Sequence, residues 1–341
     1  MQGARVLLSG YYGFGNLGDE ALLSGLSGAL QRRGVSVTVL SADPAATRAS
    51  HGVSARHRVT GLLPGVLAAD AVVSGGGGLL QDGSSRRSLS YYLGVLRLAK
   101  TVGRPAAVYA QSLGPLSDTG RRRVAAVLAG VPTLVRDAPS LALAAALGVR
   151  ASLVADPALL LGPTHTPDHD GRGGPVVLVP RGGHPELTDA LVRLATRLVA
   201  DGKRVDAVAM HPAEDEREVG RLVTEVAGVT RRTASTPDDA LRLFSAAGYV
   251  VSVRLHGCIL AARAGTAFAG LSYDPKVMGF LEQVNAPVFT APVDEEALVD
   301  VVTAGAGFDA DAVSRLRVLA ERGVDELLAS LLGSSAPRTG G

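Results

Sequence analysis

Two Rossmann-like α/β domains facing a cleft are the fold this sequence predicts, and three observations predict it. Short apolar runs, many β-branched, alternate with amphipathic stretches along nearly the whole chain, the rhythm of a parallel sheet covered by helices. Several of these runs open into glycine-rich or charged loops, as strands of open α/β sheets do at their ligand-binding ends. The rhythm is broken once, by the Pro/Gly-rich stretch 163–175, so residues 1–162 are expected to form one domain and 176–332 the other. A chain of 341 residues, 47% hydrophobic, holds enough apolar material for two cores.

The elements follow in order. Arg5-Val-Leu-Leu-Ser reads as a strand, the glycine loop 10–18 as its exit, and 21–33 as a helix with apolar residues at helical spacing. A strand at 35–40 leads to Asp43. Ala71-Val-Val-Ser runs into four glycines, 75–78, whose backbone can approach a ligand closely and turn its N–H groups inward. A helix at 91–102 precedes a strand at 106–110, which ends at Gln111, a side chain able to bond a ligand or tie the loop. A helix at 119–129, a strand at 132–135 ending in Arg136-Asp137, a helix at 139–147 and a last strand at 152–156 complete this half. The second half repeats the pattern. Strands at 176–179, 204–210, 249–253 and 267–271 alternate with helices at 185–200, 214–227, 237–246, 258–264 and 277–283, and helices at 294–304 and 309–332 follow. The segment 333–341 has nothing to bury and reads as a flexible tail.

Composition excludes several classes. A net charge of +2 with 4% aromatic residues offers neither a basic stripe nor stacking platforms for nucleic acid. One cysteine, Cys258, precludes an internal disulfide framework and a cysteine zinc cluster. His165 and His169 have ligand-like spacing but stand in a Pro/Gly loop without a shared helix face, so no metal site is expected. No apolar run reaches the roughly 18 residues a membrane span needs, and the N-terminus turns into a glycine loop too soon for a secretory signal. A cytoplasmic location, with contact at the inner membrane face through a run such as Arg121-Arg122-Arg123, is the expectation.

The chemistry-bearing residues gather at strand ends. Arg254 and His256 close the strand at 249–253, where Arg254 can clamp a carboxylate or phosphate through paired hydrogen bonds and His256 can move a proton near neutral pH. Lys276, one of only three lysines, follows the strand at 267–271 and adds a second cation. Arg136 is a third, unless it pairs with Asp137. Arg181 and His211 also fall at strand ends. Gly13, Gly15 and Gly18 match the dinucleotide fingerprint, and Asp43 stands where a ribose-binding acid would. Against that reading, Asp19 and Glu20 sit at the helix start, where carboxylates oppose a pyrophosphate and suit a sugar hydroxyl.

Six stretches in order, Ser-Gly-Tyr-Tyr-Gly-Phe-Gly-Asn-Leu-Gly-Asp-Glu-Ala at 9–21, Ser-Gly-Gly-Gly-Gly-Leu-Leu-Gln-Asp at 74–82, Tyr-Ala-Gln-Ser-Leu-Gly-Pro at 109–115, Val-Arg-Asp at 135–137, Val-Arg-Leu-His at 253–256 and Ser-Tyr-Asp-Pro-Lys at 272–276, resemble the polysaccharide pyruvyl transferase family, CsaB type. The resemblance covers about residues 5–290, with Gln-Ser-Leu-Gly-Pro replacing Gln-Gly-Ile-Gly-Pro. It implies a GT-B-like two-domain fold and transfer of an enolpyruvyl unit from phosphoenolpyruvate to a sugar as a cyclic ketal. The implied acceptor is a cell-wall polysaccharide precursor, a lipid-linked saccharide ending in N-acetylmannosamine, and the ketal would anchor S-layer homology domains. No cofactor or metal is implied, phosphoenolpyruvate being the donor substrate. On this reading His256 is the general acid and Asp19 handles the acceptor hydroxyl. Arg254, Arg136 and Lys276 hold phosphoenolpyruvate, and Asn16, Gly76, Gly77 and Gln111 meet the acceptor. The alternatives are a GT-B nucleotide-sugar glycosyltransferase, an NAD(P) oxidoreductase and a non-catalytic carbohydrate-binding protein.

Overall fold

The computed structural model describes residues 3–83, 85–162 and 173–333. The linker expected at 163–175 falls outside them except for its last three residues, as do His165, His169 and the tail from 334.

The chain forms two compact α/β units. In the first, the elements run β1 (Arg5–Ser9), α1 (Leu17–Arg32), β2 (Ser36–Ser41), α2 (Pro44–His51), β3 (Ser54–His57), α3 (Leu62–Ala68), β4 (Ala71–Gly75), α4 (Arg86–Thr101), β5 (Ala106–Gln111), α5 (Asp118–Leu128), β6 (Thr133–Val135), α6 (Ala138–Ala146) and β7 (Ala151–Leu153). The seven strands are parallel in the order β3-β2-β1-β4-β5-β6-β7. Central strands β1, β4 and β5 are buried on both faces, which is why they read as continuous apolar runs. Leu7, Val72 and Val108 of these strands pack with Val66, Leu93 and Val124 of helices α3, α4 and α5 in one core.

The second unit repeats the design. Its elements are β8 (Val176–Val179), α7 (Pro185–Ala200), β9 (Val205–Val208), α8 (Pro212–Glu225), β10 (Val229–Arg232), α9 (Pro237–Ser245), β11 (Tyr249–Ser252), α10 (Leu255–Ala264), β12 (Phe268–Ser272), α11 (Pro275–Gln283), β13 (Val288–Thr290), α12 (Glu295–Ala304) and α13 (Ala310–Leu332). The parallel order is β10-β9-β8-β11-β12-β13. Chain direction across the sheet reverses between β8 and β11, the place where such sheets leave a crevice beyond their carboxyl ends.

Two assignments differ from the sequence expectation. Gly15–Ala21, with the first turn of α1, groups with the second unit, and Leu316 onward, most of α13, groups with the first. The reason for the first is local: Leu17 N donates to Met210 O at 2.8 Å, holding the start of α1 against the end of β9. The reason for the second is a set of α13 contacts described below. Among the described residues no helix is long and apolar enough to cross a membrane.

Candidate functional site

Helices α7, α8 and α10 leave the adjacent strands β8, β9 and β11 of the second sheet. Their N-caps are His184, His211 and Arg254, and none supplies a side-chain cap. A helix start normally carries Ser, Thr, Asp or Asn, which accepts from the free N–H groups. The helices after β10, β12 and β13 follow that rule with Thr236, Asp274 and Asp294. Of these three neighbouring helix starts at the sheet's reversal point, α7 carries Glu186 and α8 carries Glu214 and Asp215 in the first turn, whereas α10 combines the positive end of the dipole with Arg254 and no acid in its first turn, an arrangement that favours an anion.

Arg254 enters this site with its guanidinium engaged. Nε donates to Asp215 Oδ2 at 2.6 Å, and Nη2 donates to Asp215 Oδ1 and, at 2.7 Å, to Glu214 Oε2. Ser252 fixes the backbone beneath it, its Oγ accepting from Arg254 N at 3.1 Å and donating to Arg254 O at 2.8 Å. Asp215 is the centre of the network. Its side chain is 0% exposed, and besides Arg254 it accepts from His211 N at 2.9 Å and Gly182 N at 3.2 Å, tying the ends of β8, β9 and β11 together. Burial opposes charge on Arg254, but its bonds to Asp215 and Glu214 outweigh that and raise its pKa. Burial likewise opposes ionisation of Glu214, yet the Arg254 bond and charge win and hold its carboxyl below the usual range.

Beside this network, Arg181 lies over the Tyr273 ring, 4.7 Å from its centroid, and the His184 ring sits 3.9 Å from the same centroid. Nε of Arg181 is buried with no hydrogen-bond partner among the described residues. Burial pushes the Tyr273 phenol up, partly offset by Arg181. Lys276 is in the first turn of α11, its backbone N–H capped by Asp274 at 2.9 Å and its side chain partly exposed.

His256 lies in the first turn of α10, and the backbone of Gly18 packs directly on its ring: a β-carbon at residue 18 would collide with Nδ1 and Cγ. The same turn of α1 carries Asp19 and Glu20, both buried. Asn16 Oδ1 caps Gly18 N at 3.0 Å and Asn16 Nδ2 donates to Asp19 Oδ2 at 2.6 Å, so Asn16 sets the orientation of Asp19. His256, Asp19, Asn16, Arg254 and Lys276 all belong to the second unit, and the Gly18 contact puts the turn that carries Asn16 and Asp19 against His256.

Arg136, Gly76, Gly77 and Gln111 belong to the first unit. Arg136 pairs with Asp156 at 2.6 Å and donates through Nε to Ser112 Oγ at 3.0 Å, while Asp137, the partner weighed from sequence, caps α6 instead. Gly76 and Gly77 both have positive φ, which glycine adopts without strain. The Gly76 N–H, however, is spent on Tyr109 O at 2.9 Å, and Gly77 O accepts from Ser112 N at 3.0 Å. Gln111 is 0% exposed; its Nε2 donates to Ser74 Oγ at 2.8 Å and its Oε1 is buried with no hydrogen-bond partner among the described residues.

Sequence reasoning missed Asp215, Glu214 and His184, and quoted Tyr273 only as part of a motif. An arginine at the end of a buried strand must find an acid, and Asp215, in the first turn of a helix leaving a neighbouring strand, was the findable partner. Among the described residues no group of three or more His, Cys, Asp or Glu is placed to hold a metal.

The family model described as polysaccharide pyruvyl transferase matches residues 16–275. No curated protein matches. Among solved structures, Anabaena Alr3699/HepE in complex with UDP-glucose is similar at a TM-score of 0.64 and 15% identity, covering 96% of this chain and 100% of its own. The Neisseria meningitidis UDP-GlcNAc 2-epimerase bound to UDP-GlcNAc gives 0.60 at 10% identity, over 97% and 100% of the two chains. MurG of Acinetobacter baumannii gives 0.51 at 12%, over 97% and 99%. At these identities the likeness establishes the fold, Rossmann-like of the GT-B class.

Proposed function

Because the chain belongs to the polysaccharide pyruvyl transferase family, we propose that it transfers the enolpyruvyl unit of phosphoenolpyruvate to two hydroxyls of a sugar, with His256 as general acid. The observation that carries the donor assignment is the uncapped start of α10 at the reversal point of the second sheet, with the basic N-cap Arg254 and no acid in its first turn. Phosphoenolpyruvate carries a carboxylate and a phosphate, and both need fixed positive charge and N–H donors. Lys276 and the orphaned Nε of Arg181 supply donors there, whereas Arg254 holds the Asp215 network in place and contributes as the N-cap of α10.

In the reaction His256 delivers a proton to C3 of the enol as an acceptor hydroxyl bonds to C2, its proton passing to Asp19. A second hydroxyl then bonds to C2 as the C2–O bond to phosphate breaks, its proton leaving with the phosphate. One phosphoenolpyruvate and one diol give one ketal and one inorganic phosphate. The match of the six motifs to the CsaB type supports a cell-wall polysaccharide precursor as acceptor, lipid-linked and ending in N-acetylmannosamine, whose ketal anchors S-layer homology domains.

The test is phosphate release from phosphoenolpyruvate with and without a synthetic lipid-linked N-acetylmannosaminyl disaccharide, with mass analysis of the sugar. Acceptor-dependent release, and a sugar heavier by one pyruvate less one water, is expected. Turnover of a nucleotide sugar with no use of phosphoenolpyruvate would instead assign the chain to glycosyl transfer.

A further inference from the structure

Helix α3 of the first unit carries an unusual surface. Val59, just before it, and Leu63 and Leu67 within it are 61%, 52% and 50% exposed. Their four-residue spacing puts Leu63 and Leu67 on one face of the helix, with Val59 a turn ahead. Single exposed apolar residues need no explanation, but a row of three large ones beside one another does.

The setting of the row is basic. Helix α3 packs against α4, and α4 against α5. From β3 to the end of α5, residues 54–129 hold ten Lys and Arg against three Asp and Glu, in a chain whose net charge is only +2, so the remainder is net acidic. Helix α4 has no acid at all, and its Arg87 and Arg97 are exposed. Two of the three acids are already engaged, Asp70 by Arg5 and Asp82 by the Ser117 N–H and hydroxyl. Arg104 donates to the Leu67 carbonyl at 2.7 Å, placing a cation at the C-terminal end of α3. The Arg58 guanidinium lies 4.2 Å from the Tyr91 ring centroid, so a further cation adjoins Val59.

We infer that the α3–α4 face of the first unit docks on an anionic lipid bilayer, Val59, Leu63 and Leu67 entering the headgroup boundary while Arg87, Arg97 and Arg104 meet lipid phosphates. Charge complementarity decides the occupant. A polyanion such as nucleic acid would use the arginines but leave the apolar row idle, and an apolar protein groove would leave the charge excess idle. A bilayer with acidic headgroups uses both, in the manner of interfacial amphipathic surfaces. The docking stands apart from the pyruvyl chemistry, since it calls on none of the residues assigned to it.

The experiment is co-sedimentation of the full chain, without substrates, with vesicles of phosphatidylcholine alone and of phosphatidylcholine mixed with phosphatidylglycerol. Binding is expected to the mixed vesicles only and to fall with added salt, because exposed charges are screened within about 10 Å at 0.1 M. Arg87→Gln and Arg97→Gln should each weaken it by about fivefold, the effect of removing roughly one surface cation's attraction. Leu63→Glu with Leu67→Glu should abolish it, with circular dichroism and phosphate release on a soluble acceptor unchanged. Equal binding to neutral vesicles, no binding to either, or binding that survives the double Leu substitution would overturn the proposal. Heparin binding that depends on the arginines but not on Leu63 and Leu67, without vesicle binding, would reassign the face to a polyanion.

Discussion

The backbone of Gly18 is the surface against which the His256 ring rests. Gly18 has no side chain, and a β-carbon there would collide with the imidazole. Gly18→Ala is therefore expected to displace the ring, lowering kcat while leaving KM for phosphoenolpyruvate nearly unchanged. Gly28→Ala, on the same helix and meeting only the tip of Arg32 at 3.5 Å, is the control. There the gain in helix propensity, about 1 kcal/mol, should raise stability without touching turnover. Equal kinetics for both variants would separate Gly18 from the chemistry.

His256→Ala should reduce turnover by about 10²- to 10⁴-fold, the usual contribution of a positioned general acid. His256→Gln keeps a hydrogen-bonding side chain but cannot deliver a proton and should fare no better. Near-wild-type turnover in a folded His256→Ala protein would remove the histidine from the acid role.

Removing Arg254 strands a carboxylate in the interior. Asp215 has no exposed surface and two of its described partners are groups of Arg254. Arg254→Ala should thus destabilise the fold by about 3–5 kcal/mol, measured by urea unfolding, the penalty for an unpaired buried charge. Asp215→Asn with Arg254→Met, which removes both charges, should cost much less than the single change.

Acid should loosen the same network. The folded pKa of Glu214 is lowered from its ordinary 4.5, burial notwithstanding, by the hydrogen bond and charge of Arg254. A depressed carboxylate contributes stability that is full above its unfolded value and is lost as pH falls through the folded one. The window is therefore below 4.5, and Glu214→Gln should flatten this part of the acid limb in pH-dependent unfolding. The effect should be small, because half of the Glu214 side chain is in solvent.

Cys258, two residues beyond His256, should be inert in the native protein. Burial pushes its thiol up to about 12, so almost no thiolate exists at neutral pH. Ellman's reagent is expected to find no thiol until denaturant is added. Fast native labelling would show that the α10 segment opens readily.

Strand ends were legible in the sequence because buried parallel strands are apolar runs, and each of β8, β9, β11 and β12 delivered the expected charged loop. Edges were not. Strands β3 and β10, Ser-Ala-Arg-His and Val-Thr-Arg-Arg, face solvent along most of their length and leave no hydrophobic signature. Short helices α2 and α3 were hidden too, α2 by its polar sequence and α3 by the Pro-Gly pair inside its apolar run, and with them the apolar row on α3. Pairing was the other blind spot. Arg254 was placed correctly at the end of its strand, but its partner lies 39 residues earlier, and only the folded sheet shows that β9 and β11 flank β8. The Gly18 contact with His256 spans even more of the chain, and no local pattern encodes it.

Helix α13 sets an order of events. From Leu316 on, it completes the first unit: the Tyr109 hydroxyl donates to Ala320 O at 3.3 Å, Arg33 pairs with Glu321 at 2.9 Å and Asp325 at 2.7 Å, and Ala320, Val324, Leu327 and Leu331 are buried. The unit that contains β1 therefore lacks part of its wall until residues 316–332 have left the ribosome. During that interval the second unit has all its strands, so the nascent chain should seal its later half before its earlier one.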